Sequence, residues 1–228
     1  ASALVLLVHW YRFEDAALLL RRMPPARMRA AALTAAYKHN LAAARAATPD
    51  AGIHELPTAI AMRTGWTHHD LLAAISISRG PMGHLQADTG QLVLAWGGRT
   101  WIADPGYQQY RPGPERDFTL GLHAHNAPVI DGTTQTLRAG RLARCEATAD
   151  GWLHAQLDLA PCYAKLPVNA SVLRDVWVID DDARIVVVRD TLTALTGATT
   201  VTTSWHGATH MAWSFRDGWA RLGNEEDV

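Results

Sequence analysis

From Leu56 onward the chain is a succession of short apolar or alternating runs, separated by Gly, Asp or Pro. Two pairs of runs are typical of β-hairpins: "AWGGRTWIAD" around Gly97-Gly98 and "VWVIDDDARIVVVRD" around Asp181-Asp182. Alternation places every second side chain on one face of a strand, and paired glycines supply the positive φ angles of a tight turn. Many short strands divided by turns predict a mainly β fold, a large antiparallel β-sandwich or a related all-β domain.

The first fifty residues have a different character, being rich in Ala, Leu and Arg. Leu33, Tyr37 and Leu41 recur at four-residue intervals and would line one face of a helix. Pro25 suits the first turn of that helix, and "TPDAG" ends it. We therefore predict a helical segment over residues 1–50 and a β domain over residues 51–228.

Composition excludes several classes of function. Lys and Arg number 21 against 22 Asp and Glu. The chain therefore lacks the excess of basic residues that would indicate a nucleic-acid partner. The apolar run at the start, "ALVLLV", is far shorter than the ~20 residues that a membrane span needs, and it lacks the charged region of a signal peptide. Cys145 and Cys162 fit a disulfide or two free thiols; so few cysteines in a chain of this size favour free thiols.

A polar constellation interrupts the strand-like pattern. "GHLQADTGQ" places His84, Gln86 and Asp88 two residues apart, which would put them on one face of an extended chain. Farther along, Asp104 precedes Pro-Gly at a strand end, and "HAHN" carries His125 where the next strand is expected to begin. This density of acids, tyrosines, arginines and histidines is more than a plain sandwich loop requires.

Each of these residues also has an ordinary structural interpretation. His84 could be a hydrogen-bonded histidine of a sheet, Asp104 a turn former, and His125 with its neighbour Asn126 the cap of a strand end. Tyrosines and arginines of the segment could be packing and surface residues. Three tryptophans, Trp66, Trp96 and Trp101, are expected in the core or at its rim rather than in a sugar-binding platform.

The order of the motifs resembles the β-sandwich region of the heparinase II/III-like polysaccharide lyases. The resemblance is carried by "MRTGW", "GHLQADTGQLVLAWGGRTWIADPGYQQY", "RDFTLGLHAHNAPVIDGTTQ", "VVVRDTL" and "WH", and it covers about residues 56 to 206. It implies that residues 1–50 are the end of an α/α toroid and that the active site lies between toroid and sandwich. It also implies that the chain is an incomplete part of such an enzyme, truncated at the C-terminus of its sandwich.

The resemblance also implies a set of site residues. His84 takes the place of a substrate-facing histidine, while Gln86, Asp104 and His125 take the places of three ligands of a structural Zn²⁺. Relatives commonly carry a histidine where Gln86 stands, and an amide oxygen is a much weaker zinc ligand than an imidazole. Two alternatives stay open, a weakened metal site and a metal-free hydrogen-bond cluster. His123 is a possible substitute ligand if it shares a strand face with His125.

The chemistry implied is β-elimination on an anionic polysaccharide that contains uronic acid. Histidine and tyrosine suit the proton transfers, so Tyr107 and Tyr110 are candidate catalytic residues beside His84. Arg111 and Arg116 are candidates for binding the anionic sugar.

Partners implied by the resemblance are the polysaccharide and the rest of the toroid, in the periplasm of a bacterium or outside its cell. Further catalytic residues of the family come from the toroid and have no match here, so we expect little activity from these 228 residues alone. The competing hypotheses are a non-catalytic carbohydrate-binding or structural module, and a metalloprotein of another class.

Overall fold

The structure is a computed structural model that describes residues 51–77, 86–106, 110–181, 183–195, 197, 199–209 and 211–224. These residues belong to one compact unit, Ala51–Val228. The predicted helical segment, residues 1–50, lies outside the described residues.

The first sheet contains five antiparallel strands that follow one another in sequence order. They are β1 Gly52–Glu55, β2 Ala59–Arg63, β3 Leu72–Ser76, β4 Leu92–Trp96 and β5 Arg99–Ile102. The predicted hairpin joins β4 to β5, and Gly97 and Gly98 adopt φ angles of 62° and 74°. Both angles lie in the left-handed region that glycine enters without steric cost, which explains the Gly-Gly pair.

A connecting region follows β5 and contains helix α1, Pro114–Leu120, a 3-10 turn, Leu122–Ala124, and the short strand β6, Val129–Ile130. Pro114 occupies the first turn of α1, where a missing backbone N–H is tolerated. No sequence pattern predicts this helix. The sequence predicts that "HAHN" begins a strand, whereas the structure has a 3-10 turn through His123.

The second sheet contains four antiparallel strands in the spatial order β10-β9-β8-β7. They are β7 Arg141–Ala147, β8 Leu153–Asp158, β9 Ser171–Asp180 and β10 Arg184–Thr193. The last two form the second predicted hairpin. A short strand, β11 Val201–Thr202, pairs with β6, and the chain continues into the hairpin of β12 Met211–Arg216 and β13 Trp219–Asn224.

A hydrophobic core lies between the two large sheets and confirms the predicted β-sandwich. Strands β2 to β4 contribute Ile60, Met62, Ala73, Ile75 and Leu92, which are fully buried, and β8 and β9 contribute Ala155, Leu157, Val172, Val176 and Val178. These residues alternate with less buried ones along each strand, as the two-residue period of a strand requires.

The two cysteines are free thiols, as the sequence favours. Burial raises the pKa of the Cys162 thiol to about 11, so it stays protonated near neutral pH. Within the described part of the chain, no helix has the length and hydrophobicity to cross a membrane.

Candidate functional site

Asp104 lies directly after β5, where Ala103 donates its backbone N–H to the carbonyl oxygen of His206 at 3.0 Å. The Oδ1 atom of Asp104 accepts the backbone N–H of Gly106 at 2.6 Å, so Asp104 does form the predicted Asp-Pro-Gly turn. Its other oxygen, Oδ2, lies 2.7 Å from Nδ1 of His125. Asp104 therefore stabilises its own turn and contacts the second motif at the same time.

His125 is fully buried. Nδ1 of His125 is the ring nitrogen that faces Asp104, so a neutral imidazole that donates its proton there keeps a lone pair on the other ring nitrogen, Nε2. That atom is buried and has no hydrogen-bond partner within the part of the chain that the structure describes. A histidine oriented by a carboxylate through one nitrogen and free at the other is the usual arrangement of a metal-binding histidine.

Gln86 carries a second buried acceptor, its side-chain oxygen Oε1, which has no hydrogen-bond partner among the described residues. Gln86 does not lie in a strand, since β4 begins only at Leu92. Between them, Gln91 donates its backbone N–H to the carbonyl oxygen of Asp88 at 2.8 Å and closes a turn over Asp88–Gln91. The described residues 86–91 therefore do not form the expected strand. Asp88 accepts the hydroxyl of Ser76 on β3 at 3.2 Å and so supports the neighbouring strand.

Asn126 fixes the position of His125 through three hydrogen bonds to the start of β4. Its side chain accepts the N–H of Leu92 at 2.8 Å and donates to the Leu92 carbonyl at 2.7 Å, and its own N–H donates to Oε1 of Gln91 at 2.6 Å. The side-chain amide thus pairs with Leu92 as a neighbouring strand would. Of the two functions open for Asn126, these contacts favour the structural one.

Gln135 likewise pairs its side-chain amide with a backbone N–H and carbonyl, those of Thr89. It accepts the N–H of Thr89 at 3.0 Å and donates to the Thr89 carbonyl at 2.8 Å and to the hydroxyl of Tyr163 at 3.2 Å. The Tyr163 hydroxyl in turn donates to the carbonyl of Pro128. Burial raises the pKa of Tyr163 to about 12, so this tyrosine is unsuited to proton transfer near neutral pH.

Arg174, on β9, joins this segment to the second sheet. Its guanidinium is fully buried and donates to the carbonyl of Asn126 at 2.7 Å and to that of Gly90 at 2.8 Å. The same group forms a two-pronged ion pair with Asp190 of β10, with both N···O distances at 2.7 Å. Sequence reasoning missed Arg174. The signal was a charged residue at an inward position of "SVLRDVWV", opposite Asp190 in the hairpin register.

The sequence also predicts five catalytic or substrate-binding residues. His84 and Tyr107 lie outside the described residues. Tyr110 is 71% exposed, Arg111 is exposed, and Arg116 is half-buried on α1. Their predicted roles stay predictions.

His123 could substitute as a ligand only if it shared a strand face with His125, and the structure contradicts that condition. The 3-10 turn separates it from His125, and its side chain is exposed whereas that of His125 is fully buried.

Asp104 and His125 alone are too few donors for a metal ion, and Gln86 is the third donor that the motif resemblance implies. Among the described residues, no group of three His, Cys, Asp and Glu side chains could hold a metal ion. His125 offers a free Nε2 and Gln86 offers an unsatisfied oxygen. Both oxygens of Asp104 already have hydrogen-bond partners, Gly106 N–H and His125 Nδ1, which suits a residue that orients His125.

A family model described as "Heparinase II/III-like, C-terminal" matches residues 60–225, well over half of the chain. The chain belongs to this family. No curated protein gives a significant match.

Solved structures agree on the fold. A heparinase III gene product is similar at 16% identity and a TM-score of 0.55, over 69% of this chain and 25% of that one. Heparan sulfate lyase HepC from Pedobacter heparinus is similar at 19% identity and a TM-score of 0.51, over 73% and 25%. Another heparinase III is similar at 18% identity and a TM-score of 0.51, over 75% and 26%. The chain thus spans about a quarter of the length of these structures.

Proposed function

We propose that this chain is the sandwich part of a polysaccharide lyase that cleaves a uronic-acid-containing anionic polysaccharide by β-elimination. The observation that carries the proposal is the family match over residues 60–225. The Asp104–His125 pair supports it, because that pair lies at the positions where the family resemblance implies site residues.

β-Elimination requires the protein to supply a base, an acid and a group that neutralises the uronate carboxylate. A base takes the proton from C5 of the uronate, the electron pair forms the C4=C5 double bond, and the C4–O bond breaks as an acid protonates the leaving oxygen. Neutralising the uronate carboxylate makes the C5 proton easier to remove, since negative charge builds up beside it. We assign that neutralisation to His84.

Proton transfer is assigned to Tyr107 or Tyr110, and binding of the anionic chain to Arg111 and Arg116. Tyr110 and Arg111 are exposed, which leaves them accessible to a polymer. Three other residues have a structural role. Asp104 orients His125, and Asn126 and Arg174 hold the segment that carries it.

The test is turnover by the full-length protein on heparan sulfate, hyaluronan and alginate, followed by the ultraviolet absorbance of the unsaturated product. His84→Ala is expected to lower turnover roughly 100-fold or more while polymer binding persists. His69→Ala removes an exposed histidine elsewhere and is the matched control, with turnover unchanged. Absence of turnover on all of these polymers by the wild-type protein would overturn the proposal.

A non-catalytic carbohydrate-binding module is the second candidate, and Gln86 favours it because a usual ligand position has been lost. In that case the wild-type protein and His84→Ala would bind polymer equally and neither would produce unsaturated sugar.

We also expect the site to hold Zn²⁺ weakly, through His125 Nε2 and Gln86 Oε1, with Asp104 as ligand or as the group that orients His125. A bound ion would supply a structural cross-link between the segments that carry these residues. No catalytic step depends on it.

Gln86→His is expected to raise zinc affinity by about tenfold or more, because imidazole replaces an amide oxygen at a borderline-soft ion. Metal content after purification and competition with a chromophoric chelator measure the change. Gln86→Asn keeps the amide and should bind no more zinc than the wild type. If Gln86→His also binds no more, Gln86 does not share a site with His125.

A further inference from the structure

A second feature of the sandwich lies away from the Asp104–His125 pair. A cavity of about 400 Å³ opens between the end of the β4–β5 hairpin and the start of β10. Its wall includes Trp96, Trp101, Arg184, Leu94 and Val186. We call this cavity the tryptophan pocket. Its volume falls in the range of small-molecule binding sites, and its wall combines apolar surface with a cationic group.

The two indoles of the tryptophan pocket are held in a fixed arrangement. Their ring centres are 6.1 Å apart with an angle of 26° between the planes, and Nε1 of Trp101 donates to the carbonyl oxygen of Trp96 at 3.0 Å. Trp96 nevertheless remains 42% exposed. A rigid, exposed indole presents a flat apolar surface at little conformational cost, which suits the apolar face of a pyranose ring.

Arg184 provides the polar contact beside that surface. Its guanidinium carbon lies 5.6 Å from the centre of the Trp96 ring. Among the described residues it forms an ion pair with Asp180 at 3.4 Å, and both side chains of that pair are more than a third exposed. Such a pair is weak, so a ligand carboxylate can take the place of Asp180 at little cost. Asp70 is a second acid, and its pKa is lowered chiefly by hydrogen bonds from Thr67 and less by the charge of Arg184. Its carboxylate accepts the N–H and the hydroxyl of Thr67, both at 2.7 Å.

The tryptophan pocket is separated from the Asp104–His125 pair along one strand. Trp96 pairs with Arg99 at the hairpin end of β5, and Asp104 follows the other end. Five residues of extended chain span roughly 16 Å. That distance exceeds one sugar ring, so a sugar in the tryptophan pocket and a sugar near Asp104 would be different units of one chain.

We infer that the tryptophan pocket binds a uronate-containing saccharide unit of the polysaccharide, apart from the Asp104–His125 pair. The sugar ring packs on Trp96, and its carboxylate pairs with Arg184. The choice of ligand rests on the proposed function, whereas the stacked indoles and the adjacent guanidinium stand independently of it.

The experiment measures binding of heparan sulfate, hyaluronan and alginate to the full-length protein by calorimetry, and then repeats it with variants on the polymer that binds best. Trp96→Ala is expected to weaken binding roughly tenfold, and Arg184→Gln several-fold. Trp96→Phe keeps a ring and should retain most of the affinity. Trp152→Ala is the matched control, since Trp152 is 38% exposed in a turn of the other sheet; it should bind and turn over as the wild type does.

Thermal unfolding of each variant identifies any that fails to fold, and Arg184→Gln, which changes only a half-exposed side chain, then decides the result. If both Trp96→Ala and Arg184→Gln fold and bind the polymer as the wild type does, the inference is overturned while lyase turnover still stands. If the wild-type protein binds none of the polymers, the inference is also overturned, and the absorbance assay judges the proposed function separately.

Discussion

Replacing Arg174 with methionine is expected to lower the free energy of unfolding by about 3–5 kcal/mol. The guanidinium is fully buried, and it bonds Asp190 and the carbonyl oxygens of Gly90 and Asn126. Methionine fills much of the volume but donates no hydrogen bond. It would leave two carbonyl oxygens unsatisfied and the Asp190 carboxylate, only 18% exposed, without its cation. Urea denaturation followed by circular dichroism measures the loss.

Arg141→Met is the matched control for this change. Arg141 also pairs with an aspartate, Asp158 at 2.8 Å, but its side chain is 73% exposed. An exposed pair contributes little, so the expected loss is below about 1 kcal/mol. A double-mutant cycle of Arg174→Met with Asp190→Asn should be strongly non-additive, because each change removes the same ion pair. Equal losses in Arg174→Met and Arg141→Met would contradict the role given to Arg174.

The effect matters for the candidate site because Arg174 is the link between the second sheet and the segment around His125. Asn126 pairs with Leu92 through its side chain and receives Arg174 at its carbonyl oxygen. The position of the His125 ring therefore depends on a residue 49 positions later in the chain. Zinc affinity of Gln86→His, measured in the Arg174→Met background, would report on that dependence directly.

How much of the fold the sequence predicts depends on how strongly each strand alternates. The hairpins around Gly97-Gly98 and Asp181-Asp182 are confirmed, since their strands pair apolar periodicity with clear turn residues. Strand β7, "RLARCEA", was missed because it carries two exposed arginines and a glutamate and has little apolar signal. The β12–β13 hairpin was missed although Asp217-Gly218 is a turn signal; Asp217 and Gly218 adopt φ angles of 52° and 80°.

The candidate site was predicted in its residues more than in its geometry. The motif resemblance selected Asp104 and His125, and these two side chains are in contact. The strand expected at Gln86 begins only at Leu92, after a turn over Asp88–Gln91. Gln91, Gln135 and Arg174 were not anticipated, since their partners are fixed by the packing of distant segments. A single sequence contains no information on which buried carbonyl a side-chain donor will reach.

The second large effect is expected at Asp175, on the outer face of the second sheet. Asp175 is only 1% exposed and accepts hydrogen bonds from Gln156 at 2.8 Å and Arg189 at 2.9 Å, while His154 Nε2 lies 2.8 Å away. Trp177 lies between the last two, stacked on the His154 ring at 4.6 Å and 4.9 Å from the Arg189 guanidinium. This cluster is held together by one carboxylate.

The charge on Asp175 makes the stability of the cluster depend on pH. Burial raises the pKa of its carboxyl, but the hydrogen bonds from His154, Arg189 and Gln156 lower it more, so the pKa lies below its ordinary value. A carboxyl whose pKa is lower in the folded than in the unfolded state binds fewer protons when folded. Its contribution to stability is therefore complete above the unfolded pKa of about 4 and is lost as the pH falls through the folded value.

Asp175→Asn is expected to lower the free energy of unfolding by about 2–4 kcal/mol at pH 7, because an amide cannot accept all three hydrogen bonds and leaves buried donors unpaired. The difference from the wild type should shrink below pH 4, where the wild-type carboxylate itself becomes protonated. Glu146→Gln, which removes a 50% exposed acid from the same sheet, should show neither effect. Urea denaturation between pH 3 and 7 checks both parts. A loss in Asp175→Asn that is constant across this range would mean that shape, rather than charge, explains the role of Asp175.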